Sequence, residues 1–458
     1  MTLSDRLPQD KHFVEEFDRH LKLNVSEVRD YTYEFHRRWE SKGVTTLRGT
    51  GWTVRPFFLP ANRLHFVAAA FHSALNSLRS KLMEAAHTKG AITRLLPFHP
   101  QFEDCFDIAD GAASPAFSAH FRPDGFLFED RFVLSEINYG NGIIVSCGYT
   151  EAVADYWSNH PVVKQLGYDV EKLHRRPLPW LINVARRFAR PVLRPRVALV
   201  ANSEEWQTIL SFPKRVVDQI NFVRDQFQRA GLRPRIVDEH GVAVDQKGQL
   251  RFVEDGERVD LLMFITVCVS FMDKPELLKP GGDLSHFARA RIGDVWVLKP
   301  LMGLIVDKGS LPLIGTLDCS QQMSDGFRFE IATTEFPRAQ GAATYFDSRN
   351  DWIIKRSFDG KDTHIGVLHT ERQWRECVEA AAEDFDYVMQ RYVSMPRTEV
   401  PVLVDEEHLE WIPSRVELST FIYDGAYGGA GARHAPDAEG LIMTDFPKDY
   451  GYSSVFSV

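Results

Sequence analysis

The sequence predicts a mixed α/β protein (α+β layers) with more than one domain. Its 458 residues exceed what one ordinary hydrophobic core accommodates, so about two to three domains are expected. The first hundred residues show mainly helical periodicity, a hairpin pattern follows, and strands and helices alternate from Val197 onward. A hydrophobic content of 44% and a charged content of 26% are typical of a soluble globular protein.

Changes in pattern divide the chain into four predicted segments. Residues 1–100 form a helical N-terminal region, in which a long amphipathic helix is predicted from Asn62 to His87. Residues 101–195 contain the hairpin and further helices, and end in the basic, proline-marked connector ARPVLRPRV. Residues 196–283 form a small α/β unit that closes with KPGGD. Residues 284–458 again alternate strands and helices.

The small α/β unit and the last segment contain the clearest strands. In the small unit, VALVAN, RIVDEH and LLMFITV predict strands, Glu204–Ala230 predicts a helix, and VAVDQKGQLRFV predicts a hairpin that turns at Gln246–Gly248. In the last segment the strand patterns are WVLKP, WIIKRSF, YVMQRYV and RVELSTFIY. Strands that alternate with helices in this way support the predicted α/β class.

Composition limits the partners and the compartment. A net charge of −9 and a pI near 6.0 argue against a general nucleic-acid surface, which needs concentrated Lys and Arg. The five cysteines are odd in number and lack CxxC spacing, which suits a reducing compartment. The N-terminus shows no apolar signal region, and the most apolar run, LLMFITVCVSFM, is too short to span a bilayer. We therefore expect a cytoplasmic protein with no nucleic-acid or membrane partner.

The segment HFRPDGFLFEDRFVLSEINYGNG predicts a β-hairpin with a charged tip. If its turn centres on Asp130, Asp124 lies opposite Glu136. Arg122 then lies opposite Asn138, and the two-residue period of a strand puts all four on one face. Facing carboxylates repel by a few tenths of a kcal/mol up to about 1 kcal/mol, so a positive group is expected between them. Arg122 as a structural counter-ion and a hard cation such as Mg²⁺ both remain open.

Two lysines of the last segment are candidates for phosphate binding. Lys308 stands just before a helix-like stretch in VDKGSLPLIG, and Lys355 closes the strand WIIK before a polar loop that contains Gly360 and Gly366. A lysine and backbone N–H groups can both face a phosphate in such a setting. Taken singly, each lysine fits a solvated surface position more readily.

The stretch STFIYDGAYGGAGARHA contains four glycines that precede Arg433. It lacks the last glycine of GxGxxG and opens no helix, which argues against a dinucleotide site. A glycine-rich hairpin turn remains an equal alternative. The sixteen histidines contain no HxH, HxD or HExxH pair, so we interpret His120, His364 and His434 as ordinary loop or site-edge residues.

Taken in order, these motifs resemble the circularly permuted ATP-grasp ligases, the glutathionylspermidine synthase-like family. R-x-D-x11-E-x-N is followed by the small α/β unit, DKG-x-L-P, the W-x-x-K strand with its loop, Y-x-x-Q, and YGGAGAR. The resemblance covers roughly Val54 to the C-terminus. It implies an ATP-grasp fold in permuted order: a metal-binding half at 101–195, an inserted pre-ATP-grasp-like domain at 196–283 and a nucleotide-binding half at 284–458.

The resemblance also implies site residues and the cofactors ATP and Mg²⁺. The implied catalytic residues are Arg122, near the reacting carboxylate and γ-phosphate, and Arg433, which would stabilise the transferred phosphoryl group. The implied metal ligands are Asp124, Glu136 and Asn138. The implied ATP-binding residues are Lys308 and Lys355 at the phosphates, Met389, Gln390, Arg391 and Tyr392 along the adenine, and Glu417 as a polar contact.

The chain also departs from the family pattern. EINYGNGI stands where the family has E-x-N-A-D-T-P, and the loop FDGKDTHIG is poorer in glycine than usual. No amidase domain precedes the ligase segment in this sequence. Glutathione and spermidine are therefore not expected as substrates on the strength of the resemblance.

The implied activity is that of an ATP-dependent carboxylate–amine ligase. It would form an amide through an acyl phosphate and release ADP and phosphate, with a small-molecule acid and amine as partners. An ATP-dependent phosphotransferase on a small molecule is one alternative, and a non-catalytic nucleotide-binding protein is another. The oligomeric state is open, with a homodimer as one option.

Overall fold

The computed structural model describes the chain in ranges separated by gaps. They are 5–41, 52–86, 88, 91–96, 105, 112–115, 117, 119–138, 143–189, 191–201, 203, 215–264, 275–298, 308–317, 319, 321–357, 363–384, 386–404, 408–437 and 451–458. The first part of the helix predicted at Glu204–Ala230 (204–214), the end of the LLMFITV pattern and the loop at 358–362 lie outside these ranges.

The described helices account for most of the helical predictions. They are α1 (Lys11–Leu23), α2 (Val25–Ser41), α3 (Ala61–Ala86), α4 (Ala91–Leu95), α5 (Ile143–Asn159), α6 (Pro161–Leu166), α7 (Val170–Leu173), α8 (Pro177–Phe188), α9 (Arg215–Arg229), α10 (Pro275–Leu278), α11 (Leu311–Thr316) and α12 (Glu371–Glu383). The long helix predicted from Asn62 to His87 is confirmed as α3. None of the helices among the described residues has the length and apolar character to cross a membrane.

The largest sheet among the described residues has ten strands. Its strands are β1 (Trp52–Thr53), β2 (Phe57–Leu59), β3 (Arg122–Leu127), β4 (Arg131–Asn138), β12 (Gln321–Gln322), β13 (Arg328–Ile331), β18 (Arg397–Val404), β19 (His408–Tyr423), β20 (Ala426–Pro436) and β21 (Gly451–Ser457). The order is β12-β13-β4-β3-β19-β20-β21-β2, and β18 pairs with both β1 and β19. The sheet thus joins strands from both ends of the sequence.

The predicted hairpin is formed by β3 and β4. The N–H of Phe128 donates to the carbonyl of Arg131 at 2.7 Å, which closes a two-residue turn at Glu129–Asp130. The turn is therefore centred between Glu129 and Asp130, half a residue before the centre at Asp130 that the sequence analysis assumed. Uninterrupted pairing from this turn would shift the facing residues by one position along β4.

A β-bulge restores the predicted pairing. The register shifts next to Asp124 and leaves Ser135 without a facing residue on β3. Beyond the bulge, Asp124 lies opposite Glu136 and Arg122 opposite Asn138, as predicted. A bulge adds one residue to one strand and changes the direction of nearby side chains. The predicted pairs are therefore confirmed, but a bulge as well as the turn sets them.

The small α/β unit contains a second, largely parallel sheet. Its strands are β5 (Arg196–Val200), β6 (Arg233–Val237), β9 (Leu261–Phe264), β10 (Arg291–Ile292) and β11 (Val295–Leu298), in the order β10-β11-β9-β5-β6. The predicted hairpin turning at Gln246–Gly248 is confirmed as β7 (Val242–Val244) and β8 (Leu250–Phe252). Strands β10 and β11 belong to this sheet, although they come after the predicted boundary at residue 283 in sequence. The four-segment division remains a prediction.

A third sheet has four strands and its own small core. The strands are β14 (Thr334–Glu335), β15 (Trp352–Arg356), β16 (His364–Ile365) and β17 (Tyr387–Arg391), in the order β14-β17-β15-β16. Helix α12 contributes to this core through Trp374 and Val378, which pack with Ile354 and Met389. The fold is therefore a mixed α/β arrangement, as the sequence predicts.

Candidate active site

A cluster of charged side chains lies where the ten-stranded sheet approaches the four-stranded sheet. Strand β19 pairs with β3 so that Ser419 faces Asp124, and it pairs with β20 so that Glu417 faces Arg433. Sheet pairing thus brings the hairpin carboxylate close to side chains about 300 positions away in sequence.

Asp124 is the most enclosed carboxylate of the cluster, with only 1% of its side chain exposed. Arg122 contacts both of its oxygens, at 3.2 Å through Nε and 3.3 Å through Nη2. Nη2 of Arg433 donates to Oδ2 at 2.9 Å, and Nδ2 of Asn138 donates to the same oxygen at 3.1 Å. Nη2 of Arg433 also lies 2.7 Å from Oε2 of Glu417. Arg433 therefore joins two carboxylates.

Glu136 is the more accessible carboxylate. Its Oε1 lies 3.1 Å from Nζ of Lys308, and its side chain is 23% exposed whereas that of Lys308 is 7% exposed. The charges of Lys355 and Arg433 also act on it. The repulsion expected between Glu136 and Asp124 is thus offset by cations on both sides. A ligand from solvent would reach Glu136 before the buried Asp124.

Gln390 links the cluster to the four-stranded sheet. Its Oε1 accepts from Nζ of Lys355 at 2.8 Å. Its Nε2 donates to the carbonyl of Ser135 at 3.0 Å and to Oγ1 of Thr334 at 3.1 Å. Because Ser135 is the bulge residue of β4, the side chain of Gln390 fixes the position of Lys355 relative to the hairpin.

Glu136 and Glu417 have opposite pKa shifts. Burial works against the charge of Glu136, but Lys308, Lys355 and Arg433 outweigh it and lower the pKa to about 2. Burial raises the pKa of Glu417 to about 7; Arg433 opposes this rise, and the neighbouring carboxylates add to it. Glu136 is therefore a fixed anion, whereas Glu417 is close to its midpoint at neutral pH.

The cations are also affected by their surroundings. Burial lowers the pKa of Lys355, while Glu136 opposes this change. Burial also disfavours the charge of Arg122, but Asp124 beside it raises the pKa above the ordinary arginine value. The guanidinium is thus held in place by its bidentate ion pair.

The cluster combines three carboxylates with four cationic groups, so its formal charge is positive when every group is ionised. A positively charged site of this kind suits a polyanion, for example a nucleoside triphosphate. The oxygens of Asp124, Glu136 and Asn138 form a hard donor set that fits Mg²⁺. A metal at Asp124 would compete with Arg433, which has Glu417 as a second partner. These residues could hold the metal and the phosphates of one ligand together.

Not all of the predicted site residues lie in this cluster. The side chain of Met389 packs in the core of the four-stranded sheet against Trp374. Arg391 lies at the surface, 3.4 Å from Asp351. The backbone N–H of Tyr392 donates to the carbonyl of Asp351 at 2.7 Å. Of the predicted adenine-lining segment, Gln390 contacts another predicted site residue, Lys355, through its side chain.

Two contacts of the cluster were absent from the sequence prediction. Ser135 and Thr334 both accept hydrogen bonds from Gln390. Ser135 uses its backbone carbonyl, which any residue type would supply, so no sequence signal marks it. Thr334 belongs to a strand of only two residues, which is too short to show a periodicity.

Comparisons with known proteins give weak structural likenesses. No protein-family model matches the sequence, and a comparison with curated proteins found no match. A glutathione synthetase-like effector from Globodera pallida aligns with a TM-score of 0.49 at 11% identity, over 98% of this chain and 97% of the other. D-alanyl-alanine synthetase A from Vibrio cholerae O1 biovar eltor aligns with a TM-score of 0.30 at 12% identity, over 55% and 70%. The function is therefore argued from the site.

Proposed function

We propose that this protein is an ATP-dependent carboxylate–amine ligase with an ATP-grasp fold in circularly permuted order. The small α/β unit is then the inserted domain, and the helical N-terminal region precedes the metal-binding half. The reaction joins a small-molecule acid to an amine and releases ADP and phosphate. The proposal rests on the order of the sequence motifs together with the charged cluster.

The observation that supports it most is the convergence of seven charged side chains. They come from four separate stretches of the chain and are Arg122, Asp124, Glu136, Lys308, Lys355, Glu417 and Arg433. Each stands at a position that the family resemblance names. A structural ion-pair network needs neither this excess of cations nor an accessible carboxylate at its edge.

In the proposed first step, a carboxylate oxygen of the acid attacks the γ-phosphorus of ATP. The bond from this phosphorus to the bridging oxygen breaks, ADP leaves, and an acyl phosphate forms. Lys308 and Lys355 bind the phosphate oxygens in place of Glu136 and Gln390. Arg122 and Arg433 stabilise the negative charge that collects between the acid and the γ-phosphate. No nucleophile of the protein is required, since positioning and charge neutralisation supply the catalysis.

In the proposed second step, the amine nitrogen attacks the acyl carbon. The carbon–oxygen bond to the phosphate breaks, inorganic phosphate leaves, and the nitrogen gives up its proton to solvent as the amide forms. Asp124, Glu136 and Asn138 would hold Mg²⁺, which neutralises phosphate charge when bound. Release of Arg433 from Asp124 toward Glu417 would make room for that ion.

Hydroxylamine trapping tests the ligase chemistry. The protein is incubated with MgATP and a panel of carboxylic acids, and ADP release is followed with and without amino acids and polyamines. Hydroxylamine is then added, because it converts an acyl phosphate into a stable hydroxamate. We expect a hydroxamate with each acid that stimulates ADP release. ADP release with a phosphorylated product and no hydroxamate would assign a phosphotransferase instead.

Nucleotide binding is measured separately by titration calorimetry. Lys355→Ala should weaken ATP binding by about tenfold or more, since a charge-assisted hydrogen bond contributes roughly 1.5–3 kcal/mol. Lys172→Ala is the control, because Lys172 is 82% exposed and forms an ion pair with the nearby Asp169. Equal ATP affinity in both variants would contradict the assigned ATP site. ATP binding with no turnover for any acid would favour the non-catalytic alternative.

A further inference from the structure

A second cluster of metal-ligating side chains lies in the four-stranded sheet and its helix. His364 belongs to β16, His369 follows the next turn, and Cys377 is in α12. One ligand atom from each lies within 4.8 Å of the others. None of these residues belongs to the charged cluster, and the proposed ligase reaction does not use them.

A close backbone contact and two hydrogen bonds hold the turn between the two histidines. The carbonyl oxygen of Arg349 would lie only 1.7 Å from a Cβ at position 366, so Gly366 permits an approach that no other residue allows. The guanidinium of Arg349 donates to the carbonyls of Gly366, at 3.2 Å, and His369. This side chain therefore fixes the backbone on both sides of the turn.

The start of α12 fixes His369 relative to Cys377. Thr370 caps the helix, and its side chain and that of Gln373 form a reciprocal capping box. The buried ring of Trp374 stacks with His369 at a centroid distance of 6.5 Å. Helix α12 thus presents the thiol of Cys377 from a defined position beside the two imidazoles. Hydrogen bonds thus hold both the turn and the helix start in place.

We propose that His364, His369 and Cys377 bind a zinc ion at a site separate from the nucleotide site. Two imidazoles and a thiolate suit Zn²⁺, which takes four ligands in a tetrahedron; a water molecule completes the set. Zinc–nitrogen and zinc–sulfur distances of about 2.0–2.3 Å require the three side chains to close by roughly 1 Å. The H-x4-H spacing lies within that of known zinc-binding histidine pairs.

The ligand chemistry separates this site from the acidic one. Sulfur and nitrogen ligands select borderline-soft metals, whereas oxygen ligands at Asp124 and Glu136 suit Mg²⁺. The zinc ion would tie the edge strand β16 to α12. Because Ile354 of β15 pairs with His364, the same metal would stiffen the strand that contains Lys355.

Cobalt substitution tests the site on the untagged full-length protein. Co²⁺ bound by a thiolate gives a sulfur-to-metal charge-transfer band in the near ultraviolet, which oxygen ligands cannot produce. We expect this band at one Co²⁺ per chain in excess Mg²⁺, and its loss when Zn²⁺ is added. Cys377→Ser should abolish the band, and Cys319→Ser should keep it because Cys319 packs in a different core.

A second measurement keeps the test independent of the cysteine. Zinc should raise the thermal unfolding midpoint of the unmodified protein, because a ligand that binds only the folded state stabilises it. The rise should be lost in His364→Ala and kept in His240→Ala, whose side chain is 73% exposed. A missing thiolate band in the unmodified protein, or zinc stabilisation that survives in both Cys377→Ser and His364→Ala, would overturn the assignment.

Discussion

The charged cluster and the aromatic layer around His160 both bury ionisable groups, but they do so in opposite ways. In the cluster each carboxylate has cations within about one hydrogen-bond length, as the pairs of Asp124 with Arg433 and Glu136 with Lys308 illustrate. His160 is fully buried among aromatic rings, with Phe17 stacked at 5.7 Å and Trp157 at 5.0 Å. Neither of its ring nitrogens has a hydrogen-bond partner among the described residues.

The difference shows in the pKa values. Burial alone lowers the pKa of His160 to about 3, so the imidazole is neutral and acts as an aromatic packing group. Surrounding cations lower the pKa of Glu136 to about 2 in spite of its burial, so the carboxylate stays charged. A pKa shift that burial alone causes, as at His160, therefore does not mark a candidate site by itself.

The largest expected effect is on turnover in Glu136→Ala. Loss of the accessible carboxylate should reduce ADP formation by about a hundredfold to a thousandfold, the range seen when a key electrostatic group is removed. Lys308 would keep its buried charge without this partner, so the free energy of unfolding should fall by about 1–3 kcal/mol. Steady-state ADP release and urea unfolding measure the two effects.

Glu330→Ala is the matched control for Glu136. Glu330 lies in the same sheet, but its ion pairs with Arg328 and Arg131 at 3.3–3.4 Å are more exposed. Such pairs contribute about 0–1 kcal/mol, so turnover and stability should stay nearly unchanged. Equal losses of turnover in the two variants would refute a specific role for Glu136.

A smaller loss is expected for Arg433→Lys. Lysine keeps the charge but lacks the planar guanidinium, whose Nη2 contacts two carboxylates here and whose fork would bind phosphate in the reaction. We expect kcat to fall about a hundredfold and ATP affinity much less, the pattern of an interaction formed mainly in the transition state. Arg397→Lys serves as the control, since Arg397 pairs with Asp437 at 3.0 Å outside the cluster. An unchanged kcat with lowered stability would leave Arg433 a structural role only.

The aromatic layer around His160 should affect how the free energy of unfolding depends on pH, and not the binding of nucleotide. The folded-state pKa of His160, about 3, lies below the unfolded value near 6.5, so the unfolded chain binds more protons as the pH falls. Its contribution is present above about pH 6.5 and is lost progressively toward pH 3, by up to a few kcal/mol. In His160→Phe, urea unfolding between pH 4 and 7 should show a flatter pH dependence. An identical pH dependence in both proteins would exclude His160 as the source.

The smallest effect should come from Gln390→Met, which keeps the size of the side chain but removes its three hydrogen bonds. Lys355 loses a fixed partner, so ATP affinity should fall by about threefold to tenfold, the range for a hydrogen bond worth roughly 1 kcal/mol. Calorimetric titration with ATP measures this change. If affinity is unchanged while Lys355→Ala weakens binding, Gln390 does not position the lysine.

Local sequence patterns determined much of the secondary structure. The helical period predicted α3 within one residue at each end, because a long amphipathic stretch has a single favourable face. The alternation around the charged tip predicted the hairpin and its facing pairs. These features depend on residues close in sequence, for which spacing alone fixes the geometry.

Only the tertiary structure decided which charges meet. The pairing of β19 with β3 and β20 brings Arg433 and Glu417 to Asp124, and no local pattern specifies this distance. The bulge at Ser135 is also a feature of the strand pairing. It shifts the register by one residue and so offsets the earlier position of the turn. Within β17, Met389 enters the core while Gln390 faces the cluster, because adjacent strand residues point to opposite sides. The sequence thus determined the elements and candidate residues, whereas long-range strand pairing determined their partners.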